Sequence, residues 1–310
     1  GRNDRPVALL VPLTGEQARL GHSMQQAALL AESAEFLRAY DTGGTAAGAA
    51  AAATAAIRGG ARILLGPLTA VEVPAVAATV AGRIPMIAFS NDAVLRAPNV
   101  FLFGITAGQA TSAILRYARG RGVRSVAVVE DGSPWSVACA AEAHRLEGEL
   151  ALETRVLAGE VPGQMPAQIS GDVAALAERV DAVLIPGGGE AALRIARALK
   201  GSGIQVLATF QAVDNRPAAL DALDGAWIAS PSPEEFGRFA SEFEARNGGR
   251  AGTITALAYD AANIARNLRT AETLTARGLL DSAGFRCVTG PVRFRTDGSV
   301  ARDFAILVAG

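Results

Sequence analysis

The chain has 310 residues, half of them apolar and 19% charged, with a formal net charge of −1. That length is long for one hydrophobic core and fits two lobes of roughly 150 residues each. The balanced charge, without a basic stripe, excludes a nucleic-acid partner, and no run of about 18 strongly apolar residues offers a transmembrane segment.

Val7–Val11 (VALLV) is a continuous apolar run, the pattern of a strand buried on both faces of a parallel sheet. It ends at Pro12-Leu13-Thr14-Gly15, and a helix is expected over about Leu20–Glu32. Phe36–Tyr40 reads as the second strand, stopped by Asp41. Thr45–Arg58 reads as a helix, with Thr45 as N-cap and Gly59-Gly60 as its stop. Strand Ile63–Leu65 closes at Gly66-Pro67. Helix Glu72–Ala81 follows, with Pro74 tolerated in its first turn. Pro85–Phe89 is a strand that runs into Ser90-Asn91-Asp92, and Phe101–Phe103 is a short strand.

The rhythm then restarts. Gly108–Arg119 reads as a helix, and Ser125–Glu130 as a strand followed by Asp131-Gly132-Ser133-Pro134. Helix Trp135–Leu146, strand Leu152–Leu157 and helix Ala167–Arg179 come next. Strand Ala182–Ile185 meets Pro186-Gly187-Gly188-Gly189, then helix Glu190–Lys200 and strand Gln205–Thr209, followed by Phe210-Gln211. Gly225–Ala229 reads as a strand, with helices at about Pro233–Arg246, Thr255–Leu268 and Ala271–Arg277. The end reads as a hairpin of Pro291–Phe294 and Phe304–Val308 around the Thr296-Asp297-Gly298-Ser299 turn.

Two βα series in succession imply an α/β protein with two doubly wound, Rossmann-like lobes. Lobe 1 is expected at 1–104 plus 231–290 and lobe 2 at 105–230 plus 291–310. Three chain segments then join the lobes, a hinge that permits closure and restricts twist. The carboxyl ends of the strands are where such sheets bind ligands.

The order VALLVPLTG (7–15), ILLGPLTA (63–70), PMIAFSND (85–92), FLFGIT (101–106) and GPVRFRTDGSVARDFAI (290–306) resembles the type I periplasmic binding proteins, which include the leucine/isoleucine/valine-binding proteins. Within that family, PLTG (12–15), Tyr40-Asp41, Ser90-Asn91-Asp92 and Tyr259-Asp260 resemble the subgroup known as penicillin-binding protein activators. The resemblance implies a periplasmic protein, lipid-anchored or free, that binds a small molecule. Its partner is either a membrane permease complex or a cell-wall synthase, the second without any need for transport. By the same resemblance Thr69 supplies a hydroxyl, Ser90, Asn91 and Asp92 contact the ligand, and Trp135 is the first aromatic wall. The second aromatic position falls on Gly187–Gly189 and so has no side chain. The loop that carries the family's acid reads Phe210-Gln211-Ala212-Val213-Asp214. The ligand is then amino-acid-like, or a bulkier, more apolar or lipid-like molecule.

The candidate ligand-binding residues are therefore Thr14, Thr69, Ser90, Asn91 and Asp92 in lobe 1, and Trp135, Gly188, Gly189 and Gln211 in lobe 2. Gly187-Gly188-Gly189-Glu190-Ala191-Ala192 matches a dinucleotide fingerprint in spacing, but the next strand ends at Thr209-Phe210-Gln211 without the acid that a ribose needs. His22 and His144 have no zinc-ligand spacing around them. With no P-loop, GxSxG elbow or HExxH, no catalytic residue, metal or cofactor is expected. Cys139 and Cys287 read as buried thiols or one disulfide. A chain starting at Gly1 is expected of a processed precursor or a trimmed chain.

Overall fold

The computed structural model describes residues 5–91, 95–159, 163–213 and 221–310. Contacts divide the chain into two compact units, Gly1–Thr106 with Ser232–Asp303, and Ala107–Pro231 with Phe304–Gly310.

Unit 1 begins with β1 (Val7–Val11), α1 (Ala18–Ala31), β2 (Leu37–Asp41), α2 (Ala46–Arg58), β3 (Ile63–Leu65), α3 (Glu72–Val80), β4 (Met86–Ala88) and β5 (Val100–Leu102). The sheet order is β2-β1-β3-β4-β5, with every pairing parallel. β1 is buried along its whole length because helices cover both faces of a parallel sheet. In α2 the buried residues are Ala49, Ala52, Ala53 and Ala56, the i, i+3, i+4, i+7 stripe of an amphipathic helix. Thr45 caps that helix through its hydroxyl, which accepts from Gly48 N at 3.0 Å.

Unit 2 runs α4 (Ala107–Gly120), β6 (Ser125–Glu130), α5 (Pro134–Arg145), α6 (Glu147–Leu150), β7 (Glu153–Ala158), α7 (Pro166–Ala177), β8 (Ala182–Ile185), α8 (Glu190–Leu199), β9 (Gln205–Thr209), a 3-10 turn at Phe210–Ala212, and β10 (Trp227–Ser230). The chain then returns to unit 1 with α9 (Pro233–Asn247), α10 (Thr253–Thr270), α11 (Ala276–Leu279), β11 (Val292–Phe294) and β12 (Val300–Arg302). A last strand, β13 (Ala305–Val308), completes the sheet of unit 2, ordered β13-β10-β9-β8-β6-β7. β13 lies antiparallel to β10, whereas the other pairings of that sheet are parallel.

In unit 1, α10 is tied to the early helices by charge as well as packing. Arg269 donates to both oxygens of the buried Glu32 at 2.8 and 2.9 Å and stacks on the Phe36 ring at 3.6 Å. Such a two-pronged pair fits the planar guanidinium and compensates the desolvated carboxylate.

Three sequence expectations need correction. The terminal hairpin forms between β11 and β12, not between Pro291–Phe294 and Phe304–Val308. Phe304–Val308 is the more apolar run, but the chain leaves unit 1 after Asp303 and the run pairs with β10 instead. The hairpin also belongs to unit 1, not to a second lobe of 105–230 plus 291–310. Phe294 packs edge-on against Phe101 at 5.5 Å and stacks on Phe103 at 5.8 Å, and Leu102 N donates to Gly298 O at 2.9 Å. A Cβ on Gly298, which has φ +84, would lie 2.3 Å from Val100 O, so only glycine permits this approach. Finally, Ala271–Arg277 is not one helix. Glu272 takes a left-handed φ of 57°, which ends α10, and Thr275 starts α11 by accepting from Gly278 N at 3.1 Å.

Candidate ligand-binding site

In unit 1, the predicted residues lie at the carboxyl ends of neighbouring parallel strands. Thr14 follows β1. Its hydroxyl donates to Asp41 Oδ2 at 2.7 Å, while Asp41 Oδ1 accepts from the backbone of Leu13, Thr14 and Gly43 at 2.8, 3.2 and 2.8 Å. Burial works against the Asp41 carboxylate, but these hydrogen bonds outweigh it and hold the carboxyl below its usual range. Thr14 therefore ties the loop after β1 to the end of β2.

Thr69 follows β3 and forms a reciprocal cap with Glu72 at the start of α3. Its hydroxyl and N–H donate to Glu72 Oε1 at 2.6 and 3.2 Å. Glu72 is fully buried, and its Oε2 has no hydrogen-bond partner among the described residues. Ser90 follows β4 and is buried, its carbonyl oxygen 2.3 Å from where a Cβ on Gly104 would stand. Asn91 is exposed. Asp92 lies outside the described residues.

In unit 2, the predicted residues converge. The loops after β6, β8 and β9 meet at one atom, the carbonyl oxygen of Pro186. It accepts from Trp135 Nε1 at 2.9 Å and from the buried Thr209 hydroxyl at 2.6 Å. The Thr209 hydroxyl accepts in turn from Gln211 N at 3.2 Å. The half-buried Trp135 ring stands edge-on to Phe210 at 5.6 Å. Gly188 packs so tightly on the next loop that an added Cβ would sit 2.5 Å from Gln211 O. Gly189, with φ +101, precedes the first turn of α8. Trp135, Gly188, Gly189 and Gln211 thus share one sheet edge.

The same edge holds residues that the sequence reading did not select. Asp131 Oδ1 accepts from Ser133 N at 2.9 Å and from the Ser136 hydroxyl at 2.7 Å, and Asp131 N donates to Ser136 Oγ at 3.1 Å. Burial pushes this carboxyl up, but the bonds from Ser133 and Ser136 prevail and hold it below its usual range, so it is anionic at neutral pH. Its other oxygen, Oδ2, would be 3.5 Å from a Cβ on Gly187. The glycine therefore leaves open space beside an oriented anion. The sequence signal was Asp-x-Ser-x-x-Ser directly after an apolar strand, which reads equally well as a turn and helix cap. Phe210 supplies the aromatic partner of Trp135, a role that the sequence pattern does not set apart from its neighbour Gln211.

Among the described residues no group of His, Cys, Asp or Glu is placed to hold a metal. Cys139 and Cys287 are free and buried; burial pushes the Cys139 thiol up to about 11. No helix of the described residues is long and apolar enough to cross a membrane.

A family model described as periplasmic binding protein matches residues 6–309. No curated protein matches the chain. Among solved structures, the chain is similar to a protein provisionally described as a branched-chain amino acid ABC transporter from Rhodospirillum rubrum. That match has 21% identity and a TM-score of 0.81 over 98% of this chain and 96% of that one. It is similar to the C-domain of LpoA from Haemophilus influenzae, a regulator of PBP1A, at 16% identity and a TM-score of 0.76 over 98% and 96% of the two chains. Against full-length LpoA the chain spans 57% of the longer protein. A third neighbour is an ABC-transporter solute binding protein from Rhodopseudomonas palustris in complex with 3,4-dihydroxy benzoic acid, at 18% identity and a TM-score of 0.67 over 97% and 91%. At these identities the likeness to each structure is one of fold.

Proposed function

The chain belongs to the periplasmic binding protein family, and on that premise we propose that it is a periplasmic solute-binding protein that captures a small ligand by hinge closure and delivers it to a membrane transport system. The lobes of this proposal are the two compact units, and its hinge is the three chain segments at Thr106, Pro231 and Asp303. A ligand that docks on one lobe and gains contacts to the other only on closure shifts the balance toward the closed form.

The observation that carries the reading is the Pro186 carbonyl. One acceptor ties Trp135 and Thr209 to the loop after β8, whose Gly187 lies next to Asp131 Oδ2. Ligand sites combine apolar walls with few oriented polar groups, and this edge has both. In the proposal Trp135 and Phe210 cover an apolar body, Asp131 Oδ2 accepts from a cationic or N–H donor group, and the backbone at Gly188 and Gly189 admits close approach. Gln211, Thr14, Thr69, Ser90, Asn91 and Asp92 remain the polar contacts proposed from the sequence. The favoured class is amino-acid-like, with a bulkier, more apolar molecule as the alternative.

A thermal-shift panel of amino acids, aromatic acids, lipids and muropeptides tests this. A ligand at 100 times its dissociation constant stabilises the fold by about 2.7 kcal/mol. A hit that Trp135→Ala and Asn91→Ala abolish, in variants that still melt cooperatively, is the expected result. Silence across the panel would overturn the transport reading.

The second reading is a contact activator of a peptidoglycan synthase. The LpoA C-domain, a regulator of PBP1A that matches along 98% of this chain, favours it. Pull-down of a class of cell-wall synthase by ligand-free protein would separate it from transport.

A further inference from the structure

We propose that Arg302 staples two of the three chain segments that leave unit 1 into one axis, about which the lobes close, while the third segment yields. This rests on the closure reading above and adds which part of the hinge is stiff.

In chain order, the exits from unit 1 lie after Thr106, before Ser232 and after Asp303. Arg302 ends β12 and so stands directly before the last pair of residues at the third exit. Its guanidinium donates from Nη2 to Phe103 O at 2.9 Å, just before the first exit, and lies 4.8 Å from the centre of the Phe103 ring. One side chain thus joins two exit segments that are 199 positions apart in the chain. Arg302 and Phe103 are both buried.

A guanidinium taken out of water is costly unless its charge and donors are met. Here the buried Asp260 supplies the opposite charge nearby, and the aromatic face adds to it. Asp260 is fixed in turn by the loop before β11: Val288 N, Thr289 N and the Thr289 hydroxyl donate to its carboxylate at 2.9, 3.0 and 2.6 Å. The same loop pins the third exit. Asp303 N donates to Pro291 O at 3.0 Å, and a Cβ on Gly290 would lie 2.1 Å from Asp303 O. The first exit also touches the candidate ligand edge, because Gly104 packs on the carbonyl oxygen of Ser90.

The second exit is held differently. Near it, Arg286 donates to Glu235 Oε1 on α9 at 2.9 and 3.2 Å, but the Arg286 side chain is 84% exposed. An exposed ion pair contributes little. Two exits that move as one, with the third weakly tied, make a bending hinge.

The staple is tested by hydrogen-exchange mass spectrometry on the whole chain without ligand. Wild type is compared with Arg302→Met, Arg302→Lys and Arg286→Ala. In Arg302→Met the amides of 104–106 and of 303–305 are expected to exchange about tenfold faster, with those of β1 unchanged. Arg302→Lys keeps the charge without the planar fork and is expected to fall between, and Arg286→Ala to change 232–236 alone. Melting temperatures establish that each variant is folded; if Arg302→Met does not fold, Arg302→Lys carries the same comparison. Faster exchange at only one of the two segments, or a uniform rise through unit 1, would overturn the staple.

The axis is tested by electron–electron resonance between nitroxides on the exposed positions Ala51→Cys in α2 and Ala175→Cys in α7, the native cysteines being buried. A broader distance distribution in Arg302→Met than in wild type is expected, and equal widths would overturn the axis. Failure of closure itself would show separately, as wild-type distances that no compound of the thermal-shift panel changes while the exchange result stands.

Discussion

Trp135 and Thr209, 74 positions apart in the chain, share one acceptor: both donate to the carbonyl oxygen of Pro186, at 2.9 and 2.6 Å. The arrangement couples the aromatic wall of the candidate site to the interior of the unit 2 sheet. Thr209 is fully buried, so Thr209→Val removes a donor without opening a large void. The expected cost is about 1–2 kcal/mol, seen as a lower urea midpoint with unchanged slope. Trp135→Phe keeps an aromatic ring but loses the N–H, and about 1 kcal/mol is expected from that bond.

Asp131 is expected to supply charge as well as shape. Its folded pKa is depressed, because its hydrogen bonds outweigh burial. The stability it contributes is therefore present above the unfolded pKa and lost as pH falls through the folded value. The difference between wild type and Asp131→Asn should be constant near neutral pH and shrink below about 4. Chemical denaturation across pH 2–7, as a range chosen around that value, checks it. A difference that stays flat to the acid end would remove the ionised role.

Gly188→Ala should be destabilising out of proportion to one methyl group. The added carbon would lie 2.5 Å from Gln211 O, a backbone atom that cannot simply rotate away. About 1–3 kcal/mol is expected for such overpacking, together with weaker binding of any ligand that needs Trp135. Thermal unfolding of the variant, with and without a ligand hit, measures both effects.

Asp260 gives the opposite pH sign. Burial pushes its carboxyl up to about 6, against three hydrogen bonds from Val288 and Thr289 and the nearby Arg302 guanidinium. Burial also pushes Arg302 down to about 10. A raised acid contributes stability fully below its unfolded pKa, and that contribution is lost as pH rises through the folded value. The gap between wild type and Asp260→Asn should therefore narrow from about pH 4 to about pH 6 and then level off. A gap that widens over that interval would show the hydrogen bonds and Arg302 to dominate burial.

The two sheets were legible because their strands are short apolar runs ended by turn residues: Val7–Val11, Ser125–Glu130 and Ala182–Ile185 all lie where such runs predict. Trp135, Gly188 and Gln211 could be chosen because a parallel sheet presents its strand ends at one edge. Asp131 could not, since Asp-Gly-Ser-Pro has the same composition whether it builds a turn or displays a carboxylate. Only the distance to the Gly187 gap separates the two. The terminal hairpin was misread because Val300–Arg302 looks poorer as a strand than Ala305–Val308. Arg302 is buried there nonetheless, donating to Phe103 O at 2.9 Å, and a local pattern does not reveal a partner 199 positions away. The break at Glu272 likewise comes from a left-handed backbone at a residue with ordinary helix propensity.

The most direct test of the central claim is native mass spectrometry of the protein purified without refolding from the cells that make it, beside Trp135→Ala purified the same way. The account expects a small non-covalent adduct on the wild type that the folded variant lacks. A bare wild-type mass, or an adduct retained in full by the variant, would contradict capture of a small ligand at the Trp135 edge.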